Sequence, residues 1–221
     1  MKYRITCLLL LVICSVTITA QVPVREEPRH HPVLQNKYIR LLDVWLPPGD
    51  TTLYHIHATP SLFIILSNTV TGSQIKGGQW QQNRSPAGYA WFRSFLNDTL
   101  IHRVCNMDTV VYHVNDIEIL SSYNTNNAPT KKKLPFTLLF ENERSFAYQI
   151  KNITSNKQII NKRGPMIAEL VSGNAIFFHN TTTNETKEIK AGDYCYIKPG
   201  TSFYFSAAGK GEINLVLFEI K

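Results

Sequence analysis

Gly49-Asp50-Thr51-Thr52-Leu53-Tyr54-His55-Ile56-His57 is the stretch on which the fold turns. A glycine closes the run Leu46-Pro47-Pro48, five residues follow it, and then two histidines stand one residue apart. On an extended strand, residues i and i+2 project to the same face, so His55 and His57 point one way. Forty-five residues after His57 comes His102-Arg103-Val104-Cys105-Asn106. A third imidazole from a distant strand can close a set of three nitrogens around one divalent ion, leaving positions open for water or substrate. His55, His57 and His102 are therefore the candidate metal ligands.

Outward from this stretch the chain reads as all-β. Segments such as Tyr38 to Leu46, Leu62 to Ser67, Tyr89 to Phe95, Thr109 to Val114 and Asp116 to Leu120 precede a polar connector at 121–133. Phe136 to Phe140, Ser145 to Ile150, Ile167 to Val171, Tyr194 to Ile197 and Ile213 to Ile220 follow it. They are short, rich in Val, Ile, Tyr, Phe and Thr, and separated by Gly, Pro, Asn or Asp. No long stretch carries a 3.6-residue period, which predicts sandwiches or barrels. Asn36-Lys37-Tyr38-Ile39-Arg40-Leu41 can be laid on Asn142-Glu143-Arg144-Ser145-Phe146-Ala147, an offset of 106 residues that suggests a duplication.

These residues resemble the cupin superfamily, whose members are jelly-roll β-barrels. Its first motif is a glycine, five residues, His-x-His, then a glutamate and a later glycine. Gly49, His55 and His57 fit in register, whereas the glutamate position falls at Ser61 or Leu62. His102 and Asn106 match the end of the second motif. Past the connector, Gly192-Asp193 and Lys198-Pro199-Gly200-Thr201 resemble the frame of motif two, but Phe203 stands at the ligand position, and Asn161 and Arg163 fall where His55 and His57 would map. The resemblance implies two tandem cupin-type jelly-roll barrels: residues 21–120 with a metal site, and residues 134–221 without ligands. It also implies a divalent transition metal, with Fe first and Mn, Zn, Ni or Cu as alternatives. Cupin thiol dioxygenases hold ferrous iron on three histidines, so an Fe(II) dioxygenase is one implied activity and a Lewis-acid isomerase or lyase another. The competing reading is a non-enzymatic module for a carbohydrate or other ligand, or a structural scaffold with a degenerate site. A homodimer is implied by resemblance only.

Strand alternation sorts the neighbours of the histidines. Val104 and Asn106 share the face of His102, while Arg103 and Cys105 point away, and His113 has the wrong parity to join. Arg40 and Asp43 lie on opposite faces of their strand. Trp45, Trp80 and Trp91 either pack in the core or line a barrel mouth where a flat substrate could stack. Arg29-His30-His31-Pro32 reads as a mobile tail with two adjacent histidines, a metal-scavenging role being the alternative.

Met1-Lys2-Tyr3-Arg4, an apolar run from Ile5 to Ile18, and small Thr19 and Ala20 have the pattern of a secretory signal over residues 1–20. The run is shorter than the roughly 20 apolar residues of a membrane-spanning helix. An exported chain beginning near Gln21, periplasmic or extracellular and without a span, is expected. Cys7 and Cys14 leave with the signal, and Cys105 and Cys195 are expected as separate buried thiols. Lys2 and Arg4 leave too, so the formal +7 of the whole chain drops by two. Lys131-Lys132-Lys133 sits in the connector and no basic face can be traced, so the partner is a small molecule rather than nucleic acid.

Overall fold

The computed structural model describes residues 21–123, 133–153 and 158–221. The signal expected over residues 1–20 and most of the 121–133 connector lie outside them. The first half comprises β1 (Val22–Pro23), β2 (His30–Gln35), β3 (Ile39–Leu46), β4 (His55–His57), β5 (Ser61–Ile65), β6 (Thr69–Ile75), β7 (Trp80–Ser85), β8 (Ala90–Arg93), β9 (Leu100–Asn106) and β10 (Tyr112–Ile119). The second comprises β11 (Thr137–Glu141), β12 (Ser145–Ile150), β13 (Met166–Ser172), β14 (Ile176–Asn180), β15 (Thr186–Ile189), β16 (Tyr194–Ile197), β17 (Phe203–Ala207) and β18 (Asn214–Ile220).

The halves repeat one plan. One sheet of the first runs β2-β3-β10-β5-β8, and its counterpart in the second runs β11-β12-β18-β13-β16. The other sheets run β1-β4-β9-β6-β7 and β15-β14-β17. The expected duplication has a local signature as well. Asn36 Oδ1 accepts from the amides of Tyr38 and Ile39 at 2.8 and 3.2 Å. Its counterpart Asn142 Oδ1 accepts from those of Arg144 and Ser145 at 2.8 and 2.9 Å. Each is an Asx turn that starts a strand.

Alternation along β10 shows how the halves meet. All eight of its residues are buried, because both faces of the strand are covered. Tyr112, Val114 and Asp116 face the interior of the first barrel. Ile117 and Ile119 face the second barrel and join a cluster with Ile39, Leu41, Leu62 and Ile64 from the first half and Ile167, Val216, Phe218 and Ile220 from the second. The apolar C-terminal strand therefore packs on its own chain's first barrel. Expecting two strands at Thr109–Val114 and Asp116–Leu120 missed this continuity: the break fell at Asn115, which pairs with Asp43 within the β3–β10 ladder. Strands β2, β6 and β7 were also unforeseen. Strand β7 is almost wholly polar and exposed, and β2 tolerates Pro32 because it is an edge strand with a register shift between Pro32 and Leu34.

The barrel interiors differ. The second is filled by Phe146, Tyr148, Phe178, Phe203, Phe205 and aliphatic neighbours. An isolated bridge sets Ile160 opposite Phe203, just as His55 stands opposite His102. This corrects the mapping by one residue: Ile160, not Asn161, occupies the place of His55, and Arg163 is committed to Glu219. Phe203, 1 % exposed, thus fills with carbon the space that the first barrel gives to imidazoles. Replacing Phe203 with Ala should cost about 3–5 kcal/mol in urea denaturation. A loss below about 1 kcal/mol would show that the second interior is not close-packed.

Candidate metal centre

The turn before β4 is built around Gly49, whose φ of +77° lies in the left-handed region that glycine enters without penalty. The turn is closed by Asp50 N–H donating to Pro47 O at 3.0 Å. Asn106, at the end of β9, staples it in place. Its backbone accepts from Gly49 N–H at 3.0 Å, and its side-chain amide donates to Leu46 O and Val110 O, each at 2.8 Å. The asparagine of the second motif is thus a clamp that fixes the register of β4 on β9.

That register sets His55 directly opposite His102, with His57 opposite Leu100. The three rings cluster, with centroids 5.0 Å apart for His55–His57, 4.7 Å for His55–His102 and 5.0 Å for His57–His102. Nε2 of His57 lies 3.1 Å from Nε2 of His102. Two nitrogens bound to one ion at about 2.1 Å, at roughly a right angle, would be separated by about that distance. His55 is fully buried and His57 is 3 % exposed.

Each ring turns its other nitrogen outward. His55 Nδ1 donates to Leu53 O at 2.9 Å, and His102 Nδ1 meets the Ser73 hydroxyl at 3.2 Å. His57 Nδ1 lies 3.4 Å from Asp116 Oδ2 without forming a hydrogen bond. Hydrogen-bonded outer partners, as at His55 and His102, fix the tautomer of metal-ligating histidines and leave Nε2 as the ligand. His55 Nε2 is buried with no hydrogen-bond partner, an arrangement that costs stability unless something else satisfies it. Burial pushes the His55 and His57 imidazoles down to about 3 and that of His102 to about 2, with neighbouring histidines adding to the effect. Three neutral nitrogen donors suit a divalent cation, and a bound ion would satisfy the orphaned atom. The ring nitrogens that all lie within 4.8 Å of one another are those of His30, His55 and His57, a group that leaves out His102.

Two residues beside them were missed from sequence. His30, expected in a mobile tail, opens β2 and is 7 % exposed, with one ring nitrogen in a group with those of His55 and His57, all within 4.8 Å of one another. Asp116 is the carboxylate beside the imidazoles. Burial raises its pKa to about 7, while His30, Ser61 and Arg40 pull the other way. Ser61, at one of the positions aligned with the motif's glutamate, is fully buried and donates to Thr59 O at 3.1 Å. Asp116 shares the parity of Tyr112 and Val114 along β10, and Glu27-x-x-His30 has the spacing of an anchored histidine, but neither pattern shows burial by itself.

The imidazoles line a cavity of about 440 Å³, bounded also by Phe63, Tyr89, Trp91, Thr71, Ser73 and Asn83. Phe63 stacks on Trp91 and Trp91 on Tyr89, at 4.7 and 5.5 Å between centroids. Trp91 thus walls the cavity. Trp45 stacks instead on His113 outside it, and Trp80 lies under the Arg103 guanidinium. Val104 lines the cavity, while Cys105 and Cys195 are both free and buried. His113 is bound to Asp43 at 2.7 Å, and Arg40 pairs with Glu118 at 2.6 Å. Among the described residues no helix is long and apolar enough to cross a membrane.

No family model matches the sequence, and no curated protein does. Solved structures do match in fold. AerE from Microcystis aeruginosa shares 14 % identity at a TM-score of 0.55, covering 88 % of this chain and 98 % of that one. A salicylate 1,2-dioxygenase mutant from Pseudoaminobacter salicylatoxidans shares 11 % at 0.57, covering 83 % and 71 %. A cupin 2 conserved barrel domain protein from Leptotrichia buccalis shares 8 % at 0.55, covering 85 % and 86 %. The chain has the all-β, two-barrel fold of the cupin superfamily.

Proposed function

We propose that the first barrel holds one divalent transition metal on His55, His57 and His102 and uses it for chemistry on a small molecule. Iron is the first choice among Fe, Mn, Zn, Ni and Cu, and an Fe(II) dioxygenase is the leading form of the activity. The observation that carries this reading is the 3.1 Å approach of His57 Nε2 to His102 Nε2, with His102 Nδ1 held by the Ser73 hydroxyl. A bound divalent ion would supply a Lewis acid and, as iron, a centre able to react with dioxygen.

The protein's own residues suit such a role. Phe63, Trp91 and Tyr89 form a flat apolar wall, against which the body of a planar substrate would lie. Ser73, Thr71 and Asn83 offer polar contacts on the cavity surface. Asp116, with a pKa raised to about 7 by burial, can hold or release a proton near neutrality. A neutral ligand set leaves the cation's charge uncompensated and favours an anionic substrate. The likeness in fold to a salicylate dioxygenase is in keeping with an oxygenase, and the leader-like pattern of residues 1–20 supports export.

The untagged protein should carry close to one equivalent of metal by elemental analysis. After reconstitution with Fe(II), an oxygen electrode should record uptake that depends on a small anionic substrate, screened among aromatic acids and thiol acids, and the His57→Ala variant should abolish it. Ligand binding without oxygen uptake or turnover would favour the non-enzymatic module.

A further inference from the structure

His30 does not belong to the sheet that carries the three motif histidines. It begins β2, in the facing sheet, opposite Val44, and reaches the cluster from across the cavity. We propose that His30 is a fourth ligand to the ion, delivered by an N-terminal strap spanning residues 22–35 and held in aim by Glu27. The proposal rests on the reading of His55, His57 and His102 as a metal centre and adds a ligand that the family motif does not supply.

Three observations carry it. First, His30 is buried while His31, Pro32 and Val33 after it are exposed, so the strand turns this one ring inward. Its centroid lies 4.6 Å from that of His55. Second, His30 Nδ1 lies 2.6 Å from Glu27 Oε2. Nδ1–H donates to that carboxylate, and Nε2 is left as the ligand atom. Third, Glu27 is a hub rather than a casual partner. Only 2 % exposed, it also accepts from Arg29 N–H at 2.8 Å and from Leu53 N–H at 3.0 Å. Leu53 O in turn accepts from His55 Nδ1 at 2.9 Å. A single buried carboxylate thereby orients two imidazoles, one directly and one through the backbone of Leu53.

The strap also runs along the ligand strand. Val22 pairs with His55 and Pro23 with Ile56 in the parallel β1–β4 ladder. Glu27 brings near the ion the negative charge that the missing motif glutamate would have carried, but one bond sphere further out. A bound cation would then fasten the beginning of the described chain to the barrel.

Proton NMR of the unmodified protein loaded with Co(II) tests this without a variant. Each ligating imidazole with a protonated Nδ1 should give one strongly shifted exchangeable resonance, so four are expected, and three would overturn the proposal. In Co(II) titrations, Glu27→Gln should weaken binding about 10–100-fold, His30→Ala at least as much, and the His55→Ala, His57→Ala pair should abolish it. Unchanged Co(II) affinity in His30→Ala, with binding lost in the double variant, would remove His30 as a ligand and leave the three-histidine centre standing. No Co(II) binding by the unmodified protein, or binding retained in the double variant, would overturn the centre itself and this proposal with it.

Discussion

The double variant His55→Ala, His57→Ala is expected to be purified with essentially no divalent metal, where the unmodified protein carries close to one equivalent. Neighbouring positions on one short strand supply both rings, so a single pair of substitutions strips the centre of two adjacent donors. What remains is His102 and the ring of His30, too few nitrogens to hold an exchangeable ion through dialysis. Fold and metal should separate cleanly in this experiment. The imidazoles line a cavity rather than fill a packed core, and His55 Nε2 is already a buried polar atom without a hydrogen bond. Truncation removes that unsatisfied group along with its contacts. The metal-free variant should therefore lie within about 1–2 kcal/mol of the metal-free unmodified protein in urea at pH 7. Metal retained at the original stoichiometry would mean that the ligands lie elsewhere.

How much of this was legible in the sequence follows from the range over which each signal acts. The glycine turn, His55, His57 and the His102–Asn106 pair are local patterns tied to strand alternation, and they led to the fold and to three rings that do cluster. The duplication could be read from Asn36 and Asn142, because an Asx turn is encoded within four residues. His30 could not be placed in this way. Its burial depends on β2 adding to the edge of β3 and on Glu27 reaching Leu53, both contacts between segments distant in sequence. Asp116 was hidden for a related reason. A buried acid is intelligible only once both faces of β10 are known to be covered, and only one of those faces belongs to the barrel that holds the site. The mapping of the second barrel slipped by one residue, at Ile160 rather than Asn161, because no histidine remains there to set the register.

Stripped of metal, the protein should become less stable as pH falls below about 6.5, and the slope can be worked out from its buried groups. The native pKa values of His55, His57 and His102 are pushed down to about 3, about 3 and about 2, chiefly by burial, from 6.5. Their contribution to stability is complete above 6.5 and is lost as pH falls toward those native values, because the unfolded chain takes up protons that the native state refuses. Asp116 works in the opposite sense. Burial raises it from 3.8 to about 7, so its contribution is complete below 3.8 and lost as pH rises through 7. Glu169, also raised by burial, acts in the same direction. Between pH 6 and 5 the unfolded chain gains about three protons on the histidines, more than Asp116 and Glu169 together can give up, so stability falls with pH. Asp116→Asn removes one opposing group, and the slope should steepen by about 1.4 kcal/mol per pH unit. Urea denaturation of chelator-treated protein at pH 6.0, 5.5 and 5.0 measures both slopes. A flat profile in the unmodified protein, or no steepening in the variant, would show that the imidazoles are not buried in their neutral form. Metal at a thousand times its dissociation constant should add about 4 kcal/mol at fixed pH, so the loaded protein should resist acid well past the point at which the stripped one unfolds.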